Sequence, residues 1–87
     1  MIQIIGTHEV DDVEHWFTSP LRRELFEPRG IRATAFRDPE GKSTVTAVLI
    51  EAPDMETFQT VLAEPKSQEA AASDGVRLDT LTIFVAS

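Results

Sequence analysis

The first ten residues carry apolar side chains on both parities, Ile2 and Ile4 against Ile5. A strand covered on both faces has this pattern, so a strand is predicted from Ile2 to about Val10. Asp11 and Asp12 then supply a helix start, since either can accept a bond from the first free amides and both oppose the positive end of the helix dipole. Val13, Trp16, Phe17, Pro20 and Leu21 recur on one side at helical spacing. Ser19-Pro20 breaks or restarts that helix, and Pro28 through Gly30 ends it. Ile31 to Arg37 alternates again, with Ile31, Ala33 and Ala35 on one side and Arg32, Thr34 and Phe36 on the other. Asp38-Pro39-Glu40-Gly41 fits a type I turn. Thr44 to Ala52 is the third strand, with Val45, Ala47 and Leu49 against Val48 and Ile50. Pro53-Asp54 opens a second helix that should bury Met55, Phe58, Val61 and Leu62, and Pro65 interrupts it as Pro20 does the first. Asp74-Gly75 stops the helical stretch. Val76 to Ala86 is the last strand, with Leu81, Ile83 and Val85 against Leu78, Thr80, Thr82 and Phe84.

The same unit is written twice. Ten positions lead from Pro20 to Gly30 and ten from Pro65 to Gly75, with Glu24 and Glu69 each four after the Pro. Ile31-Arg32 and Val76-Arg77 follow the two glycines, and a second matched string lies upstream of each Pro: Asp12-Val13-Glu14 then Trp16, and Asp54-Met55-Glu56 then Phe58. Strand, helix, strand, strand, helix, strand is therefore two β-α-β crossovers joined by a hairpin. The expected fold is α+β and ferredoxin-like, a four-stranded antiparallel sheet with two helices on one face. A single domain over 1–87 is expected. Two short helices cover only one face, yet strands one, three and four carry aliphatics on both parities. Soluble monomers rarely expose a contiguous apolar patch. A homodimer packed through the sheet face is the simplest cover, and hiding a few hundred Å² per subunit would be worth several kcal/mol at about 25 cal/mol per Å².

Composition narrows the partners. The formal net charge is −7, from fifteen acids against eight basic residues. Such a surface repels phosphate backbones and anionic membranes, so neither nucleic acid nor membrane is expected as a partner. No apolar run exceeds four residues, far short of a membrane span. The start, Met1-Ile2-Gln3, lacks the basic and apolar regions of a signal peptide. With no cysteine there is no disulfide framework and no thiol chemistry. The expectation is a cytoplasmic protein.

The chain resembles the dimeric α/β barrel superfamily over essentially its whole length. The resemblance rests on Val10-Asp11-Asp12-Val13-Glu14-His15-Trp16, Gly30-Ile31, Phe36-Arg37-Asp38-Pro39, and Ala52-Pro53-Asp54-Met55 with Phe58 and Pro65. That group includes antibiotic-biosynthesis monooxygenases, polyketide cyclases, haem-degrading monooxygenases and muconolactone-type isomerases. These are architectural motifs, and the fold hosts unrelated functions. The cofactor-independent monooxygenases typically use an Asn, a Trp and an Arg. This chain has no Asn, and its one Trp lies on the first helix. Haem degraders need an iron-ligating His late in the chain, whereas both histidines here lie in the first fifteen residues. The residues of neither subfamily transfer.

His8 is the candidate acid or base. It sits near the end of strand one, where the chain turns toward the first helix, and histidine titrates near neutral pH. Trp16 and Phe36 are candidate walls for a planar ligand, with Phe17 and Phe58 as further aromatic neighbours. Arg32 shares strand parity with Phe36, and Arg22, Arg23 and Arg37 are further cations able to grip a carboxylate. His15 should face solvent. His8, Glu9, Asp11, Asp12 and His15 form an acidic, histidine-containing cluster without recognised ligand spacing, so no metal site is assigned. No cofactor is expected. No nucleophile motif, phosphate loop or dinucleotide fingerprint occurs. The reading is a small-molecule-binding homodimer for a planar apolar or anionic compound, acting as a cofactor-independent monooxygenase, cyclase or isomerase. The alternative is a non-catalytic ligand-sensing or assembly module of the same element order.

Overall fold

The computed structural model describes residues Met1–Ser87. Strand β1 spans Ile2–Val10, β2 Arg32–Phe36, β3 Val45–Ala52 and β4 Val76–Val85. Both expected helices are split at their prolines. Helices α1 (Val13–Thr18) and α2 (Leu21–Phe26) flank Ser19-Pro20, and α3 (Met55–Ala63) and α4 (Pro65–Ser73) meet at Glu64. A 3₁₀ turn over Glu27–Arg29 follows α2. The sheet order is β2-β3-β1-β4, and every pairing is antiparallel.

Local chemistry sets the boundaries. The Asp12 carboxylate accepts the His15 amide at 3.2 Å, and that of Asp54 accepts the Thr57 amide at 2.7 Å, each capping its helix. Pro65 occupies the first turn of α4, where its missing N–H costs nothing. Gly30 and Gly75 close the two helical stretches with φ of 71° and 73°, so the sequence repeat is also a repeat of backbone conformation. Gly41 N–H donates to the Asp38 carbonyl at 3.0 Å, closing the hairpin turn, while the Asp38 carboxylate accepts the amides of Glu40, Lys42 and Ser43.

One sheet face packs against the helices. Ile4, Val10, Val48, Ile50 and Ala52 are buried there beneath Trp16, Phe26, Phe58 and Val61. Burying a Val, Ile or Phe side chain contributes roughly 1.5–3 kcal/mol. Trp16 and Phe58 are both core residues. Phe17 and Pro20 depart from the helical pattern and lie exposed, because the break at Ser19 ends α1 before a second turn can carry them inward. The Arg37 guanidinium covers the Phe17 ring at 5.3 Å and pairs with Glu14.

The other face is open. Phe36 pairs with Ala47, Leu49 with Ile5, and Ile5 with Phe84, so these residues share it. Phe36 is 49% exposed and Phe84 58%. Arg32 pairs in register with Glu51 on this same face.

β4 departs from simple alternation. Its register against β1 shifts between Thr7 and Glu9: Thr7 faces Thr82, whereas Glu9 faces Arg77. The extra residues flip the parity, so Leu78 joins Leu81 and Ile83 on the helix side instead of opposing them. The Glu9 amide, deprived of a ladder partner, donates to Thr80 Oγ1 at 2.8 Å.

Candidate functional site

His8 faces the bulge of β4 and has no register partner there. Across the other ladder it pairs with Thr46 on β3. Both point to the helix side, and His8 is 8% exposed. Thr46 Oγ1 lies 2.8 Å from His8 Nδ1 and 2.9 Å from the His8 carbonyl oxygen. The carbonyl can only accept, so the single hydroxyl proton goes to it. The hydroxyl oxygen must then accept Nδ1–H, and in the neutral ring this leaves the lone pair on Nε2. Burial pushes the imidazole below its ordinary range; the nearby carbonyl of its own backbone opposes this and the charge of Arg22 reinforces it. The result at neutral pH is an uncharged imidazole with a free acceptor.

That acceptor borders a cavity of about 130 Å³ between the helices and the sheet. Trp16 lines it from α1 and meets the His8 ring edge-on, with centroids 5.3 Å apart. Phe26, Phe58 and Leu62 close the helix side, and Leu78, Leu81 and Ile83 the β4 side. Gly6 forms part of the floor, between Ile4 and His8 on the inward parity of β1. A Cβ there would sit 3.4 Å from Ile83 Cδ1 and 3.6 Å from Leu81 Cδ1, so the missing side chain is part of what keeps the space open.

Two charged residues also border the cavity. Arg22 on α2 stacks over Trp16 at 4.8 Å, and its guanidinium loses basicity through burial, with Asp74 opposing the shift. Asp74 follows α4 and is 5% exposed. Its carboxylate forms no protein hydrogen bond, yet no buried side-chain nitrogen or oxygen lacks a partner, so it reaches accessible space at the cavity. The same holds for His8 Nε2. The site therefore offers an apolar slot, one neutral base, one carboxylate and one cation.

The sequence-selected residues divide in two. His8 and Trp16 stand side by side in this cavity, with Phe58 across from them. Phe36 and Arg32 are not brought to it, because their strand parity is the open face. Arg32 instead borders an outer cleft along β2. His15 is exposed and donates from Nε2 to the Ser73 carbonyl at 2.9 Å, tying α1 to α4. No group of three or more acidic or histidine side chains is arranged to hold a metal ion. Asp12 caps α1, and Asp11 pairs with Arg77 at 2.8 Å. Gly6, Thr46 and Asp74 were not selected from sequence. The inward parity of Val48 and Ile50 could have placed Thr46 beside His8, but nothing local marked Asp74 as more than a helix stop.

No family model and no curated protein matches the chain. Solved structures do. An antibiotic biosynthesis monooxygenase superposes over all of this chain and 97% of its own, with a TM-score of 0.67 at 17% identity. An ethyl tert-butyl ether D family protein from Bacillus halodurans matches at TM-score 0.59 and 20% identity, over 100% of this chain and 98% of that one. SnoaB, a cofactor-independent oxygenase from Streptomyces nogalater, matches at 0.62 and 17%, over 98% and 87%. What the chain shares with these proteins is the ferredoxin-like fold of antibiotic-biosynthesis-monooxygenase structures.

Proposed function

We propose that this protein binds a carbonyl compound by its apolar ring in the cavity between helices and sheet, and that His8 Nε2 takes the C–H proton lying between ring and carbonyl, the electron pair passing to the carbonyl oxygen as an enolate. The observation that carries the reading is the Thr46–His8 pair, which leaves an acceptor nitrogen on the wall of an apolar slot beside Trp16. Low polarity keeps the imidazole neutral, the state a base needs. Enolate formation of this kind is the common first step of isomerisation, cyclisation and cofactor-free oxygenation. That an antibiotic biosynthesis monooxygenase and the cofactor-independent oxygenase SnoaB share the fold is an analogy that favours the reading without supplying its residues.

The proposed working form is a homodimer. Ile5, Phe36, Leu49 and Phe84 lie on one open face that no element of the chain covers. In a two-fold dimer this face would meet itself, apolar side chains against apolar side chains. No helix is long and apolar enough to cross a membrane. Sedimentation at micromolar concentration should give twice the mass of one chain, and Leu49→Lys should halve it. A monomer with an unperturbed open face would end the dimer proposal.

The chemistry is tested with phenylacetone in D₂O. Proton NMR should show exchange at the benzylic position catalysed by the wild type and lost in His8→Gln, together with quenching of Trp16 fluorescence. Quenching without exchange would assign a non-catalytic binding module instead. Equal exchange in His8→Gln would remove His8 from the chemistry.

A further inference from the structure

The inner cavity is too small to hold a whole ligand of ordinary size. At about 130 Å³ it matches the space that accepts one benzene ring, of order 150 Å³. Sites for complete small molecules run to roughly 300–1,000 Å³. A second cleft, about 750 Å³, lies outside it between the α1–α2 segment and the start of β2. Arg22 and Phe26 line both spaces, so the two meet across those side chains.

The arginines of this acidic chain divide along the same line. Three lie outside the cleft and are tightly engaged: Arg29 with Glu64 at 2.8 Å, Arg77 with Asp11 at 2.8 Å, and Arg37 with Glu14. The other three, Arg22, Arg23 and Arg32, line the cleft. Arg22 has no carboxylate within ion-pair distance. Arg23 reaches Glu27 only at 3.5 Å and Arg32 reaches Glu51 only at 4.0 Å, both from guanidinium side chains 79% exposed. Exposed pairs of this length contribute little and exchange readily for a better acceptor. A guanidinium fork accepts a carboxylate or phosphate through two parallel bonds.

We propose that the outer cleft is an oxyanion subsite continuous with the inner cavity, and that the ligand is an apolar ring joined by a short chain to a carboxylate or phosphate. The ring sits by His8 and Trp16, and the anion meets Arg22 first, with Arg23 and Arg32 beyond it. Glu27 and Glu51 line the same cleft paired with Arg23 and Arg32, which leaves Arg22 as its one arginine without an ion-pair partner. This rests on the cavity reading above, and it adds the class of substituent the ring must carry.

Trp16 fluorescence titrations with 4-phenylbutanoate, 4-phenylbutyl phosphate and 4-phenylbutanol test it, with toluene as the probe for the cavity alone. The acid or the phosphate should bind about tenfold more tightly than the alcohol, and the preference should shrink as salt rises. Whichever anion is preferred names the source of the oxyanion. The double variant Arg23→Gln, Arg32→Gln should weaken anion binding several-fold and leave the alcohol and toluene unchanged. Equal affinity for alcohol and both anions, with toluene still bound, would overturn the subsite and spare the cavity. If toluene does not bind, the cavity reading fails first. The subsite is then read from the arginine Nε–H resonances during a butanoate titration: perturbation confined to Arg22, Arg23 and Arg32 supports it, and none overturns it.

Discussion

The hydroxyl of Thr46 stands between two atoms of one residue, 2.8 Å from His8 Nδ1 and 2.9 Å from His8 O. A single proton cannot serve both, and the carbonyl has none to give. The tautomer of a buried histidine is thereby fixed by a neighbour on the adjacent strand. Replacing Thr46 with Val keeps the shape and removes the acceptor for Nδ1–H. The expected cost is about 1–3 kcal/mol of stability, because the imidazole is left with an unpaired buried donor. Nitrogen-15 NMR of the His8 ring should show Nδ1–H and a bare Nε2 in the wild type and in Thr46→Ser. Thr46→Val should show a mixture of tautomers. A pure Nε2–H signal in the wild type would reverse the assignment of the base.

Burial depresses the His8 pKa in the folded protein below the 6.5 of an unperturbed imidazole. Between the two values the unfolded chain binds a proton that the folded chain refuses, so stability rises with pH there. The contribution is complete above pH 6.5 and is lost as the pH falls below it toward the folded value. Asp38 and Asp54 are also depressed, by the amides that their carboxylates accept, but from 3.8, so their contribution is lost only in the more acid range. Urea midpoints should therefore fall in two separate steps as the pH is lowered. The upper step should vanish in His8→Gln and the lower one should remain. An unchanged upper step in that variant would assign it to another group.

The cavity floor makes an unusual demand. Gly6 lies in the interior of β1, where glycine is a poor strand residue, and an added Cβ meets only ordinary contacts with Leu81 and Ile83. Gly6→Ala should therefore leave the fold intact and raise stability by about 0.5–1 kcal/mol, since the unfolded chain loses freedom. It should also shrink the ring slot and weaken toluene binding. Gly6→Leu should abolish binding altogether. A stabilised Gly6→Ala with full affinity would show that the ring binds elsewhere.

The fold was legible in this chain because the signals were local and mutually consistent. Alternation marked strands, Asp12 and Asp54 marked helix starts, and Pro20 and Pro65 marked the breaks. The site was half legible. His8 and Trp16 could be paired from their places on β1 and α1. Phe36 and Arg32 could not be excluded, because parity alone does not say which side of β2 the helices cover. The parity of Leu78 depended on the β4 bulge, a register property set by the partner strand and invisible in β4 alone. Asp74 reaches the cavity only because α4 ends beside β4, a tertiary fact with no local signature.

The repeat itself yields a final test, because its two equivalent glycines differ in their surroundings. Gly30 and Gly75 have the same φ to within two degrees, 71° and 73°. An alanine at either must adopt a left-handed backbone, at a cost of about 1–2 kcal/mol. At Gly30 the added Cβ meets nothing closer than Pro53 Cγ at 3.7 Å. At Gly75 it would lie 3.2 Å from Asp11 Cβ, with the Asp11 amide 3.5 Å away. Asp11 cannot easily retreat. Its amide donates to the Gly75 carbonyl at 2.9 Å, and its carboxylate accepts from Arg77 Nε at 2.8 Å. The steric term therefore adds to the conformational one on only one side of the repeat. Thermal unfolding should rank Gly75→Ala clearly below Gly30→Ala, and the loss caused by Gly75→Ala should be smaller when measured in an Asp11→Gly background, where the clashing Cβ is absent. Equal midpoints for the two single variants would mean that the junction of β1 and β4 yields without cost.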